Sequence, residues 1–226
     1  VNAEHMELIE AGPGCEAELP EEPCIHVVAG PGTVENGELV LAAPIFTESE
    51  IYVQSYPIEI EEDGSFDLIM IGDVDTIIRL IVHGEEASMA VNLEVVSDDP
   101  GVYGLEIVAD EDIDLCVSSD TTVVDFGGLG GEGVASTVVA FRNECAADVE
   151  IRETRVFELP DFEFDGPFTA IFREPIAGPD EDGEVVVTFW PDGNELFWGV
   201  LFVHIVLQED EFATLSLPLR GTGPEE

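Results

Sequence analysis

The stretch from Ile113 to Gly223 constrains the fold more than any other part of the chain. It consists of short runs rich in Val, Ile, Thr and Phe, such as TVVAF, GEVVVTF and GVLFVHIVLQ, separated by Gly, Pro, Asp and Asn. β-Branched and aromatic residues bounded by turn formers are typical of strands. No convincing amphipathic helical repeat interrupts them, so the stretch predicts a β-sandwich.

The first half of the chain has the same rhythm, with strand-like runs at spacings of about 10 to 14 residues. Asp63-Gly64 predicts a tight turn between two of these runs. We therefore expect an all-β fold of two tandem immunoglobulin-like β-sandwich domains, at 25–110 and 111–226. An N-terminal arm and disulfide loop at 1–24 would precede them. The runs are IHVVAG, GELVLAAPIF, IYVQSYPIEI, SFDLIMIG, TIIRLIVHG, MAVNLEVVS and YGLEIVA.

Four motifs of the second half carry a family resemblance. They are VDFG before a Gly-rich turn, TVVAFRNECAADVEI, VVVTFWPDG and the closing LPLRGTG. In this order they resemble the ASPM/SPD-2/Hydin (ASH)-type immunoglobulin-like repeats of choice-of-anchor D-like bacterial surface proteins, over residues 112–223. The resemblance implies a spacer, adhesive or assembly module. In the first half, IEIEEDGSFDLIMIGDVDTIIRLIVHG resembles the carboxypeptidase-regulatory-like β-sandwich.

The charge of the chain restricts its partners. A formal net charge of -45 arises from 51 acidic residues against 6 arginines, with no lysine. Hydrophobic residues make up 45% of the chain, too many for a disordered acidic tail, so the charge must coat a folded surface. Such a surface repels nucleic acid and anionic membranes. We therefore expect no nucleic-acid partner. The sequence also contains no run of 18 apolar residues, so we expect no membrane insertion.

The cysteines form two local pairs, Cys15 with Cys24 and Cys116 with Cys145. Four cysteines allow three pairings, of which this local one is expected because a module boundary separates the pairs. Disulfides would place the chain in an oxidising compartment, extracellular or at the cell surface. The alternative is four buried free thiols in a cytosolic protein.

Acidic turns are the candidate metal ligands, because Ca²⁺ takes six to eight oxygen ligands. The pairs singled out are Asp180 with Asp182 and Asp110 with Asp112. None of them fits an EF-hand loop, and solvated turns are the alternative. We therefore expect no cofactor other than calcium.

Aromatic side chains around the PDGNE turn are the candidate contacts for a partner or glycan. Trp190 precedes the turn, and Phe197 and Trp198 follow it. Exposed Trp and Phe stack on sugar rings or anchor a partner protein, whereas buried ones fill a sandwich core. The sequence leaves both interpretations open.

Catalytic motifs are missing from the sequence. The segment 128–133 matches G-x-G-x-x-G, but the strand-like STVVAF follows it where a dinucleotide site needs a helix. The four histidines are scattered, and no G-x-S-x-G occurs. We therefore predict that the protein is not an enzyme.

These observations favour a secreted or cell-surface structural protein. We expect a subunit of an extracellular filament, fibre or surface layer that assembles through β-sandwich edges and N-terminal strand addition. Its partners would be copies of itself or other surface proteins. The alternative is a monomeric adhesin or carbohydrate-binding segment of a larger surface protein, with glycans as partners.

Overall fold

The computed structural model describes residues 5–13, 23–34, 39–47, 56–84, 87–99, 102–129, 133–159, 166–208 and 211–224. Regular structure in these ranges is almost entirely β-strand, with a 3-10 turn at Asp110–Asp112. The predicted all-β class is therefore confirmed. Among the described residues, no helix is both long and apolar enough to cross a membrane.

The chain divides into two compact units. The first comprises Val1–Ile45 and Gln54–Ile113, and the second comprises Phe46–Val53 and Asp114–Glu226. The sequence predicts an arm at 1–24 and domains at 25–110 and 111–226. The structure places the boundary after Ile113 and assigns a short segment of the first half to the second unit.

The described residues of the first half form nine strands. Eight of them belong to the first unit, and β4 belongs to the second. Their bounds are β1 (Met6–Pro13), β2 (Pro23–Ala29), β3 (Leu39–Pro44), β4 (Phe46–Thr47), β5 (Tyr56–Ile58), β6 (Phe66–Ile71), β7 (Ile77–His83), β8 (Ser88–Asp99) and β9 (Val102–Val108).

The first unit is a sandwich of two antiparallel sheets. One sheet has the order β1-β2-β6 and the other β5-β3-β7-β8-β9. Apolar side chains that alternate along these strands, such as Ile25, Leu68 and Leu80, fill the core between the sheets. The predicted turn at Asp63 exists, but it joins strands of different sheets rather than closing a hairpin.

The N-terminal strand β1 pairs with β2 of the same chain. The antiparallel register runs from Met6 opposite Ala29 to Pro13 opposite Pro23. The predicted N-terminal strand addition required an arm without a partner in its own subunit. This part of the assembly prediction is wrong for the structure described, because the arm strand is already built into the first unit.

The described residues of the second half form nine further strands. Successive strands alternate between the two sheets of the second unit, except for the last two, which are neighbours in one sheet. Their bounds are β10 (Val117–Ser118), β11 (Val124–Gly128), β12 (Ala135–Asn143), β13 (Val149–Leu159), β14 (Phe168–Glu174), β15 (Ile176–Ala177), β16 (Asp182–Phe189), β17 (Leu196–Gln208) and β18 (Glu211–Thr222).

The second unit has the strand order of a constant-type immunoglobulin sandwich. One sheet is β10-β12-β16-β14, corresponding to strands A, B, E and D. The other is β11-β18-β17-β13-β15, with G, F and C at its centre, and β4 pairs with β18. Phe189 lies in the core between them, with its ring centroid 4.7 Å from that of Phe168 and 5.9 Å from that of Phe197.

The glycines of the closing LPLRGTG motif are needed for close packing. A Cβ atom on Gly221 would overlap the ring of Phe189, and one on Gly223 would overlap the backbone oxygen of Gly193. Only glycine, which has no Cβ atom, fits at these two positions, and this explains why the motif contains them.

Asn143 and a disulfide hold one end of the second unit together. Asn143 is fully buried, and its Nδ2 donates to the carbonyl oxygens of Ala147 and Ala177, both at 2.8 Å. Its Oδ1 accepts from the backbone N–H of Cys145 at 2.8 Å. Cys145 in turn is bonded to Cys116, with a Cα–Cα distance of 4.9 Å. The end of β12 is thus tied to the ends of β10 and β15.

The disulfide confirms the predicted pairing of Cys116 with Cys145 and staples two neighbouring strands of one sheet. Antibody domains instead join strands B and F of opposite sheets. Cys24 is also disulfide-bonded. Cys15, its predicted partner, lies outside the described residues.

Removing the Cys116–Cys145 bond should destabilise the second unit. The cysteines are 29 residues apart, and closure of a loop of this length contributes about 3 to 4 kcal/mol in the chain-entropy model. We expect the double variant Cys116→Ala/Cys145→Ala to lose stability of this order in urea unfolding. An unchanged urea midpoint would contradict the role given to this bond.

Candidate binding surface

The outward side of the β10-β12-β16-β14 sheet carries a surface without charge. Because side chains alternate along a strand, the even-numbered residues of β12 and β16 point outward while Val139, Val185 and Val187 enter the core. Three successive outward rows follow from the register of the strands. The rows are Val134, Trp190 and Pro167; then Ser136, Thr188 and Thr169; then Val138, Val186 and Ile171.

These nine residues form what we call the uncharged face. Its apolar members are well exposed: Trp190 is 71% exposed, Ile171 66%, Val138 46% and Val134 45%. In the middle row, the hydroxyl oxygens of Ser136 and Thr188 lie 2.9 Å apart. Exposed apolar patches on a monomer commonly mark sites of interaction. This one is unusual because a quarter of the chain is charged.

Charges begin in the next row of the same sheet. There Glu184 lies between Ala140 and Glu174, and Arg173 Nη1 contacts its carboxylate at 3.4 Å. At the end of the sheet, Arg142 Nη1 contacts Asp182 at 3.2 Å. The charged part of the sheet is therefore separated from the uncharged face along the strand direction.

The edge of β12 is a second unusual feature of this sheet. β10 pairs with β12 only at Asn143 and Arg142, and the next contact is the Ser119 hydroxyl donating to the Ala140 carbonyl at 2.9 Å. No other described strand pairs with β12 on this side. Because the Ala140 carbonyl points to this side, the backbone groups of Ser136 and Val138 point there too. We call this unpaired stretch, 134–140, the β12 edge.

The β12 edge lacks the features that normally protect a sheet edge. Its sequence, VASTVVA, contains no charge, no proline and no lysine. Natural edge strands are usually blunted by charged residues, proline or bulges. An uncharged edge of β-branched residues is therefore suited to pair with another strand.

The three predicted aromatic contacts do not lie together. Trp190 is exposed on the uncharged face, whereas Phe197 is buried in the core against Phe189. The contact role predicted for Phe197 is therefore wrong, because its alternation on β17 points it inward. Trp198 lies on the opposite side of β17 and is half-buried. Trp190 alone of the three is placed to meet a ligand.

Three of the four carboxylates predicted to bind calcium lie beside arginines. Asp110 accepts from Arg79 at 2.9 Å and from Asn92 at 2.7 Å. Burial raises the pKa of Asp110, but the Asn92 hydrogen bond and the Arg79 guanidinium outweigh it, so the pKa lies below its usual value. On the second unit, Arg142 lies 3.8 Å from Asp180 and 3.2 Å from Asp182.

No group of three or more His, Cys, Asp or Glu side chains is arranged to share a metal ion in the described part of the chain. Among these described residues, neither predicted pair, Asp110 with Asp112 or Asp180 with Asp182, belongs to a group of three side chains that could hold one ion. Calcium binding stays a prediction.

The Gly-rich segment leads into a strand. β11 ends at Gly128, residues 130–132 lie outside the described ranges, and β12 begins at Ala135. The helix N-terminus that would hold a pyrophosphate is therefore not present after this loop. A close Ser–His pair, His83 Nδ1 to Ser88 Oγ at 2.8 Å, joins two paired strands, and His83 is fully buried. The described residues give no geometry for catalysis there.

His204 is a buried histidine on β17. It stacks on Phe212 with ring centroids 5.5 Å apart, and neither ring nitrogen has a hydrogen-bond partner among the described residues. Burial lowers its pKa from the ordinary 6.5; Glu153 raises it, whereas Arg152 and Arg155 lower it further. The imidazole is therefore neutral in the folded protein at neutral pH.

The uncharged face and the β12 edge were not identified from sequence. The signal was present in the alternation of STVVAFR and VVVTFW, which places Ser136, Val138, Val186 and Trp190 on one side. A strand pattern alone does not tell which side is outward when both sides are apolar. The register between strands was needed to bring these residues into rows.

No family model matches this sequence, and no curated protein matches it. The similar solved structures include the following three. The ASH/PapD-like domain of human CEP192 (PapD-like domain 7) is 16% identical, covers 49% of this chain and 87% of that chain, and has a TM-score of 0.38.

A protein of unknown function from Porphyromonas gingivalis W83 is 12% identical, with coverages of 98% and 97% and a TM-score of 0.36. The VesB protease of Vibrio cholerae is 11% identical, with coverages of 81% and 62% and a TM-score of 0.40.

Acid should destabilise the protein through His204. A histidine with a lowered pKa contributes stability above its unfolded value of 6.5, and this is lost as pH falls through the folded pKa. We expect the melting temperature to decrease below pH 6.5, and His204→Leu to reduce this decrease while remaining folded at pH 8. Parallel pH profiles of the two proteins would contradict this assignment.

Proposed function

We propose that this protein is a non-catalytic structural module of an extracellular assembly, in which copies join through the β12 edge. The observation that carries the proposal is an uncharged strand edge that has no pairing strand among the described residues, on a chain with a net charge of -45. The Cys116–Cys145 disulfide supports an oxidising, extracellular setting.

Neither the most apolar strand nor the N-terminal strand offers a route to assembly in the described structure. The most apolar one, β17, is buried along both of its sides, from Val200 to Ile205. Its apolar side chains are therefore buried within the chain and are not available to a partner. Strand β1 is likewise paired with β2. The proposal accordingly moves the point of assembly from the arm to the β12 edge.

Backbone geometry favours pairing between two copies of this edge. Ser136 and Val138 direct their N–H and C=O groups away from β16, and neither side chain is charged. Two β12 strands arranged antiparallel would continue the sheet from one copy into the next. The side chains meeting across the new strand pair would be Ser, Thr, Val and Ala, which suit cross-strand packing.

Charge decides when such pairing occurs. Two copies that each carry -45 repel one another strongly at low ionic strength. The Debye length shortens from about 10 Å at 0.1 M salt to about 3 Å at 1 M. At 1 M salt, only charges near the contact still matter, and the contact at Ser136 to Val138 has none. Assembly should therefore require salt.

The test is sedimentation velocity of the wild type and two variants across this range of NaCl. Val138→Pro removes a backbone N–H donor that points away from β16, and Val138→Glu places a carboxylate on the β12 edge. We expect the wild type to be monomeric at about 0.1 M NaCl and to associate at about 1 M. Both variants should stay monomeric in all conditions.

Ile107→Glu is the matched control. Ile107 is 65% exposed on β9 of the first unit, so this substitution adds the same charge at an exposed apolar position of the other unit. It should associate like the wild type. A wild type that is monomeric at every salt concentration, or a Val138→Glu variant that associates normally, would refute assembly through this edge.

An adhesive function is a second candidate, favoured by one observation. Trp190 is exposed at the outermost row of the uncharged face, directly after β16, which is a central strand of its sheet. An exposed indole held on a sheet is suited to bind a ligand rather than to support the fold.

A further inference from the structure

We propose that the uncharged face binds a neutral polysaccharide, with Trp190 as the surface on which a sugar ring stacks. This goes beyond assembly through the β12 edge and does not depend on it. The face lies on the broad side of the sheet, whereas the edge is formed by the backbone of β12. One copy of the chain would therefore suffice for binding.

Trp190 is held in place by the sheet beneath it. Its backbone N–H donates to the Pro167 carbonyl at 2.6 Å, and the preceding Phe189 is fixed in the core. Pro167 is therefore beside it, and Val134 precedes Ala135, which pairs with Phe189. The backbone that presents the indole is therefore already ordered before a ligand arrives, which reduces the entropy lost on binding.

The next row supplies polar groups that suit sugar hydroxyls. Ser136, Thr188 and Thr169 stand side by side across three strands, about 6.8 Å from the Trp190 row along the strand direction. Each hydroxyl both donates and accepts hydrogen bonds. A chain of sugars lying across the face would meet an aromatic surface first and a row of hydroxyls next. Val138, Val186 and Ile171 offer an apolar row beyond them.

The charge of the protein selects the ligand class. Acidic polysaccharides are repelled by a surface of -45. Basic ligands would be drawn to the many carboxylates elsewhere and would gain nothing at a face that has none. A neutral ligand is neither attracted nor repelled by the surrounding charge, so it binds best at the uncharged face.

The size of the face argues against a protein partner. Three rows span about 14 Å along the strands, and three strands span about 10 Å across them. A stable protein interface buries about 800 Å² on each partner, several times this area. The same comparison argues against a second copy of this chain on the face. A polysaccharide needs only a few adjacent sugars to make its contacts.

The experiment is affinity electrophoresis through gels that contain hydroxyethylcellulose, dextran or mannan, with alginate as the acidic control. We expect the wild type to be retarded in at least one neutral gel and not in alginate. Trp190→Ala should lower the affinity about tenfold or more, as expected for the loss of an aromatic anchor. Trp190→Phe should retain part of the binding.

Trp198→Phe is the matched control, because Trp198 is half-buried on the other sheet of the same unit. It should bind like the wild type. Circular dichroism melts establish that each variant is folded, and a blue shift of the exposed Trp190 fluorescence gives a second measure of binding.

Three outcomes would overturn the proposal. They are no retardation of the wild type in any of the three neutral gels, equal retardation of Trp190→Ala, and retardation in alginate alone. Trp190 is not on the β12 edge, so Trp190→Ala should still associate at high salt. Failure of glycan binding and failure of edge assembly are therefore separate results.

Discussion

Repulsion between carboxylates is the constraint within which this fold is built. With 51 acidic residues and six arginines, the chain can fold only if charges are kept apart and on the outside. Sandwiches meet this requirement, because alternate residues of each strand enter the core while the others face solvent. The few arginines are used at defined places, such as Arg79 beside Asp110 and Arg142 beside Asp182.

Within the second unit, the end of β12 is the point at which several loops meet. The buried amide of Asn143 bonds to the turn after it and to β15, and the Cys116–Cys145 bond closes the same end. At the other end, Gly221 and Gly223 let the last strand approach Phe189 and Gly193 closely. The second unit is thus held by polar bonds at one end and by close packing of glycines at the other.

The uncharged face and the β12 edge belong to the same sheet, and neither carries a charge. On a surface where almost every patch is acidic, a partner meets the least repulsion at the place that lacks charge. The edge offers backbone groups, and the face offers Trp190 with rows of hydroxyl and methyl groups. A module that joins to its copies by its edge would leave the face free, so the two surfaces are compatible in one assembly.

The sequence by itself determined the all-β class, the positions of most strands and the Cys116–Cys145 pair, because strand propensity and turn residues are local signals. It also indicated an ASH-type sandwich through motifs whose glycines and asparagine proved to have packing roles.

Only the tertiary structure decided that Phe197 is core, that Trp190 is exposed, that the arm is paired with β2 and that β12 has an open edge. Each of these depends on which strand lies beside another and on which side of a sheet faces the core. The reason is that a strand's own residues define two sides, whereas the neighbouring strand and sheet decide which of them is buried.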